Sequence, residues 1–158
     1  RRGCFVAEVT ESDLDEIFPV IALLEGRAAH EATRKAVAAD IAALELLHER
    51  LQQCAADGLV TDYYEANYAI HEAFITLADN RWLAQVIGDL RKILRLARHK
   101  SLHAPGRMQQ SLAEHLAVFA ALKARDCDAA EEAMRTHLLR QRDALRDVAR
   151  NQQSRLTP

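Results

Sequence analysis

Apolar positions along most of the chain recur every three to four residues, the spacing that gathers them on one face of an α-helix. Leu14, Ile17, Ile21, Leu24 and Ala28 form the first such stripe. It is opened by "TESD" (10–13), where Thr10 can cap the first-turn amides and Asp13 can answer it as a capping box. Ile41, Leu44, Leu47 and Leu51 predict a second helix over about 35–56, closed by "ADG" with Gly58 as its stop. Tyr64, Tyr68, His71 and Phe74 or Ile75 predict a third over about 60–78, broken by "ADNR" (78–81). A fourth, about 82–101, carries Leu83, Ile87, Leu90, Leu94 and Ala97 and stops before "APG" (104–106). The fifth, about 107–124, runs through Leu112, His115, Leu116, Phe119 and Leu122. After "RDCD" (125–128) the last helix carries Ala130, Met134, His137, Gln141, Leu145 and Val148. The polar tail, with 153–158 as its end, is expected to fray. Only "RRGCFVAEV" (1–9) departs from the helical pattern; it is short and β-prone, like a strand without its partner. The fold class this predicts is all-α, an antiparallel bundle of six or seven amphipathic helices joined by short connections.

Composition agrees with one helical domain: 158 residues, 49% of them hydrophobic, with only five Gly and three Pro. The formal charge is −2, from 21 basic and 23 acidic residues mixed along the chain. No basic block offers a phosphate-binding surface. Cys4, Cys54 and Cys127 are far apart, so neither a disulfide framework nor a Cys-rich metal knuckle is expected. With no signal peptide, and no apolar run near the ~20 residues of a membrane span, the expectation is a cytoplasmic protein without a membrane anchor.

The chemistry concentrates in the seven histidines. His71, His115 and His137 each replace an apolar residue on an inward stripe, whereas His30, His48, His99 and His103 fall at helix ends or beside charges. One buried imidazole is readily satisfied by hydrogen bonds. Three on three helices each need separate partners, or else one divalent ion that accepts all three. Periodicity alone leaves both readings open. "ELLH" (45–48) has the Glu-x-x-His form of di-iron bundles, but it is single and lies beside its stripe, so it reads as surface. "HKSLH" (99–103) sets two histidines four apart at a helix end, next to Arg98 and Lys100, and reads as solvated. Neither a H-E-x-x-H motif, nor a phosphate loop, nor a nucleophile elbow is present, and no enzymatic nucleophile or base stands out.

"NYAIHEAFITLADNRWL" (67–83), "SLAEHLAVFAALKARD" (111–126) and "AAEEAMRTHL" (129–138), with "LLEGRAA" (23–29) ahead of them, resemble the FCD ligand-binding domain of GntR-family bacterial transcription regulators. The family pattern places an Asp four residues before a His, then two more histidines; Asn67, His71, His115 and His137 stand at those positions. "RRGCFVAEV" resembles the closing strand of the winged helix-turn-helix domain that precedes FCD domains. The resemblance therefore implies residues 1–9 as a wing remnant or linker, and 10–152 as an effector- and metal-binding domain. It further implies a homodimer that reads operator DNA through an upstream winged helix domain, and no enzymatic role. The metal would be a divalent transition ion, zinc or nickel first, held by Asn67, His71, His115 and His137, and the effector a small organic acid. Two residues depart from the family. Asn67 replaces a carboxylate and leaves the ion's positive charge less compensated, which favours an anionic effector. Ile21 stands where many members carry an effector-facing arginine, leaving Arg91 and Arg95 as substitute effector-binding candidates. A helical metalloenzyme using metal-bound water is the alternative function class.

Overall fold

The computed structural model describes residues 9–156 of the chain; all but the last residue of the expected wing segment 1–9, and the last two residues of the chain, lie outside them. Six α-helices follow one another: α1 (Glu11–Lys35), α2 (Ala38–Ala56), α3 (Val60–Ala78), α4 (Arg81–Ser101), α5 (Arg107–Lys123) and α6 (Cys127–Leu156). No strand occurs among the described residues. The tail expected to fray from 153 is helical as far as Leu156.

Local chemistry explains the boundaries. The Thr10 hydroxyl accepts from the Asp13 amide at 3.1 Å and the Asp13 carboxylate accepts from the Thr10 amide at 2.8 Å, the reciprocal pair expected at the start of α1. Pro19 lies inside α1 on its exposed side, where water can serve the carbonyl that its ring leaves without a donor. α2 ends in a Schellman turn: Gly58 takes φ +69° and the Leu59 amide reaches back to the Cys54 carbonyl at 3.0 Å. α5 ends the same way with Arg125 at φ +60°, a strained choice for a residue with a Cβ. Its guanidinium compensates by donating to the Thr33 and Ala36 carbonyls, which ties the end of α1 to this turn. Asn80 caps α4, accepting from the Trp82 and Leu83 amides at 3.1 Å each.

Three expectations need correction. The second helix begins at Ala38 rather than near 35, because α1 continues through Lys35. The buried face of α3 is Tyr63, Ala66, Asn67, Ile70, His71, Phe74, Ile75 and Ala78; Tyr68 sits at its edge, 44% exposed. His48 of "ELLH" is buried against the ring of Phe119 with centroids 4.4 Å apart, and its Nδ1 donates to the Leu44 carbonyl at 2.7 Å. Glu45 of that motif is exposed, so the two residues do not act together.

The helices enclose three apolar clusters. The largest draws on α1, α2, α3, α5 and α6, the second joins α1, α4 and α6, and the third joins α1, α3 and α4. α1 makes its most extensive contact with α6. Met134 belongs to the first cluster and Leu138 to the second, so His137 sits on α6 at their junction. Ile70 and Ile75 bracket His71 on α3 in the same manner.

Gly26 permits the close approach of α1 and α6. A Cβ there would stand 2.5 Å from Arg135 Cγ and 3.2 Å from the Glu131 carbonyl oxygen. Gly88, on α4, has open space around it. Gly26→Val is therefore expected to lower unfolding free energy by about 2 kcal/mol through overpacking, while Gly88→Ala raises it by about 0.5–1 kcal/mol through helix propensity. Urea denaturation of the two variants checks both signs; equal destabilisation contradicts the assignment.

Candidate metal centre and effector site

His71 of α3, His115 of α5 and His137 of α6 converge because each replaces an apolar side chain on the inward face of its helix. One ring nitrogen from each can be chosen so that all three lie within 4.8 Å of one another, and all three residues are buried. The ring centroids of His115 and His137 are 4.4 Å apart, those of His71 and His115 5.1 Å. Asn67, one turn before His71 on α3, is buried with them.

Two imidazoles are oriented from behind by carboxylates. The Nδ1–H of His71 donates to Glu25 of α1, and that of His137 to Glu114 of α5 at 2.7 Å. This fixes both tautomers and leaves the lone pair of each Nε2 facing the cluster. Among the described residues those two Nε2 atoms, both nitrogens of His115 and Oδ1 of Asn67 have no hydrogen-bond partner. Four of these atoms are acceptors, one from each residue, and the second nitrogen of neutral His115 carries its proton. Buried acceptors in such number are costly unless something supplies a positive centre, and a single divalent ion would do so for all four. The donor set fits zinc, nickel or a neighbouring transition metal.

The electrostatics favour the ligand form. Burial pushes His71 down to about 3, despite the opposing pull of Glu25. Burial also holds His115 well below the usual histidine range, with the neighbouring imidazoles adding to the effect, and lowers His137 against the pull of Glu114. Desolvation alone would raise Glu25, but the combined attraction of His71, Arg91 and Arg98 prevails and keeps it ionised. Glu114 is likewise held below the usual range against desolvation, by hydrogen bonds from His137 and Arg107. The site is thus three neutral imidazoles backed by two carboxylates.

Each carboxylate has a buried arginine opposite. Arg107 forms a bidentate pair with Glu114 at 2.8 and 3.0 Å. Arg98 lies 3.7 Å from Glu25 and donates from Nε to Gln141 at 2.8 Å; burial brings it down to about 10, so it stays charged. Glu25, Glu114, Arg98 and Arg107 escaped the sequence reading. The available signal was a charge at an inward register, Glu25 falling one turn after Ile21 and Arg98 one turn after Leu94.

The effector candidates separate. Arg91 is buried, with its guanidinium 4.4 Å from the centroid of Tyr68 and a 3.1 Å bond to Glu72. It lines a pocket of about 10 Å³ together with Tyr64, Asn67, Tyr68 and Arg98. Arg95 is exposed and reaches only an outer groove of about 460 Å³, where Tyr64, Glu65, Tyr68, Arg91 and Lys92 also lie.

The model of the FCD domain family matches residues 16–140. The chain belongs to the FCD family. Its FCD domain is similar in fold to E. coli McbR/YncC, with a TM-score of 0.81 and 23% identity over 89% of this chain and 68% of that one. It is also similar in fold to the structure of Lar, which controls the expression of the Listeria monocytogenes agr system and mediates virulence. There the TM-score is 0.73, with 9% identity over 88% of this chain and 66% of that one. No curated protein matches the chain. The FCD domain is a regulatory module of transcription regulators rather than an enzyme, and no described helix is long and apolar enough to cross a membrane.

The depressed histidines fix a pH dependence. In the unfolded chain they titrate near 6.5, so below that pH the unfolded state binds more protons than the fold does. Their contribution is present above pH ~6.5 and is lost as the pH falls toward 3. For chelator-treated protein, His71 alone should cost roughly 2 kcal/mol between pH 7.5 and 5. Urea midpoints at the two pH values report it; a midpoint that stays level contradicts the burial of neutral imidazoles.

Proposed function

We propose that this domain is the effector sensor of a GntR-family, DNA-binding transcription regulator. In this reading Asn67, His71, His115 and His137 hold a divalent transition metal, and a small organic acid binds at the positions the protein leaves open. The observation that carries it is the cluster of buried, partnerless donor atoms on those four residues, with two imidazoles braced by Glu25 and Glu114. When bound, the ion supplies a Lewis-acidic centre for a carboxylate. Because Arg98 and Arg107 already oppose the two bracing carboxylates, these orient the ligands more than they neutralise the ion. With Asn67 neutral as well, the remaining positive charge falls to the effector to balance.

Operator binding would belong to a winged helix domain whose closing strand "RRGCFVAEV" resembles. Effector binding could alter it only by favouring one of two arrangements of the helices. We assign the outward stripe of α4, where Trp82, Val86 and Ile93 are about half exposed or more, to a homodimer contact.

Elemental analysis and melting with and without chelator test the metal reading. The wild type should carry about one ion per chain and melt lower with chelator, whereas His115→Ala should carry none and ignore the chelator. Equal metal content in both proteins, with melting indifferent to chelator, sinks the proposal. Asn67→Asp should raise metal affinity about tenfold by restoring a charged oxygen.

For the dimer, Ile93→Glu is expected to sediment as a monomer with unchanged helical content. An unaltered sedimentation coefficient would place the contact elsewhere.

A further inference from the structure

The inner pocket and the outer groove share three residues, Tyr64, Tyr68 and Arg91. These three side chains therefore form the partition between them. The inner space, about 10 Å³, holds no more than a water, so an organic acid can enter only if the partition moves. Two features show what it would move for. Arg91 Nε and Arg98 Nη2 are buried without hydrogen-bond partners among the described residues, and both arginines line the inner pocket. The one hydrogen-bond acceptor that Arg91 has, Glu72, is about half exposed, whereas the carboxylates opposite Arg98 and Arg107 are buried.

We propose that Arg98 and Arg91 form a two-stage anion clamp, that Glu72 occupies the outer stage as an intramolecular stand-in for ligand, and that the effector is accordingly a short acid with two anionic groups. The inference rests on the effector-site reading above and specifies its ligand class. The first carboxylate would sit beside Asn67, where Arg98 Nη2 lacks an acceptor. The second would replace Glu72 on Arg91, beside a groove whose lining includes Glu65, Arg95 and Lys92, the last paired with Asp89. Exchanging one carboxylate for another keeps Arg91 paired throughout and avoids the cost of leaving a buried guanidinium unpaired. A monocarboxylate satisfies one stage and leaves Glu72 in place.

The test is calorimetric titration of the zinc-loaded protein with malonate, succinate and malate against acetate, propionate and lactate, with zinc content measured before and after. The dicarboxylates should bind at least tenfold tighter than the monocarboxylates. Glu72→Gln removes the internal competitor at a half-exposed site without changing side-chain size, and should widen that preference about threefold. Arg91→Gln should abolish it, with monocarboxylate affinity and zinc content measured alongside as controls. A preference that is absent, or unmoved by Glu72→Gln, overturns the clamp; if Arg91→Gln does not fold, the Glu72 variant decides alone. Should zinc bind with full stoichiometry while no acid of the panel does, the clamp fails and the metal reading stands. Failure to bind either zinc or nickel overturns both.

Discussion

A carboxylate can be sealed inside a helical bundle only if other charges and donors surround it, and Glu25 is the carboxylate on which this bundle turns. It receives the Nδ1–H of His71 from α3, faces Arg98 from α4, and through Arg98 is linked to Gln141 of α6. One buried polar chain thus joins four helices whose apolar contacts alone would tolerate small shifts and rotations. Remove Glu25 and His71 loses the partner that sets its tautomer, while Arg98 is left as a buried charge. The companion chain from Arg107 through Glu114 to His137 does for α5 and α6 what Glu25 does for the others. Hydrophobic replacements could match either chain in stability, so what these charges provide is the fixed direction of imidazole lone pairs.

The fold was largely legible because the apolar period of 3.6 runs through every element and punctuation was conventional. The Thr10–Asp13 box and Gly58 both sit where their chemistry requires. The histidines on the inward stripes could be singled out because an imidazole at a core register is conspicuous. Tyr68 misled, since an aromatic ring at the border of a stripe pairs as readily with an arginine as with a core. His48 misled in the other direction: a backbone carbonyl one turn away and the face of Phe119 meet its needs, and neither leaves a mark in the local sequence.

The charged residues around the site were harder to read, and for one reason. Glu, Arg and Lys populate helix surfaces so freely that a single charge on the inward side looks like drift in the pattern. Arg107 sits at the first position of α5 and Glu114 two turns later, a separation at which side chains on one helix do not ordinarily pair. Only the packing of α6 over both, with His137 and the half-exposed Arg140 nearby, brings them into a bidentate pair. Burial of such groups is a tertiary fact.

The position of Glu25 along α1 has a mechanical side. At 1.5 Å per residue the helix is roughly 37 Å long, and Glu25 lies about 21 Å from its first residue. A tilt of about 5° around that point would sweep the start of the helix through about 2 Å, simply from the rise per residue. Pro19 falls within this arm, where one hydrogen bond of the helical ladder is missing and bending is easiest. Any domain joined ahead of α1 is thereby attached to the long end of a lever whose fulcrum is the carboxylate behind His71.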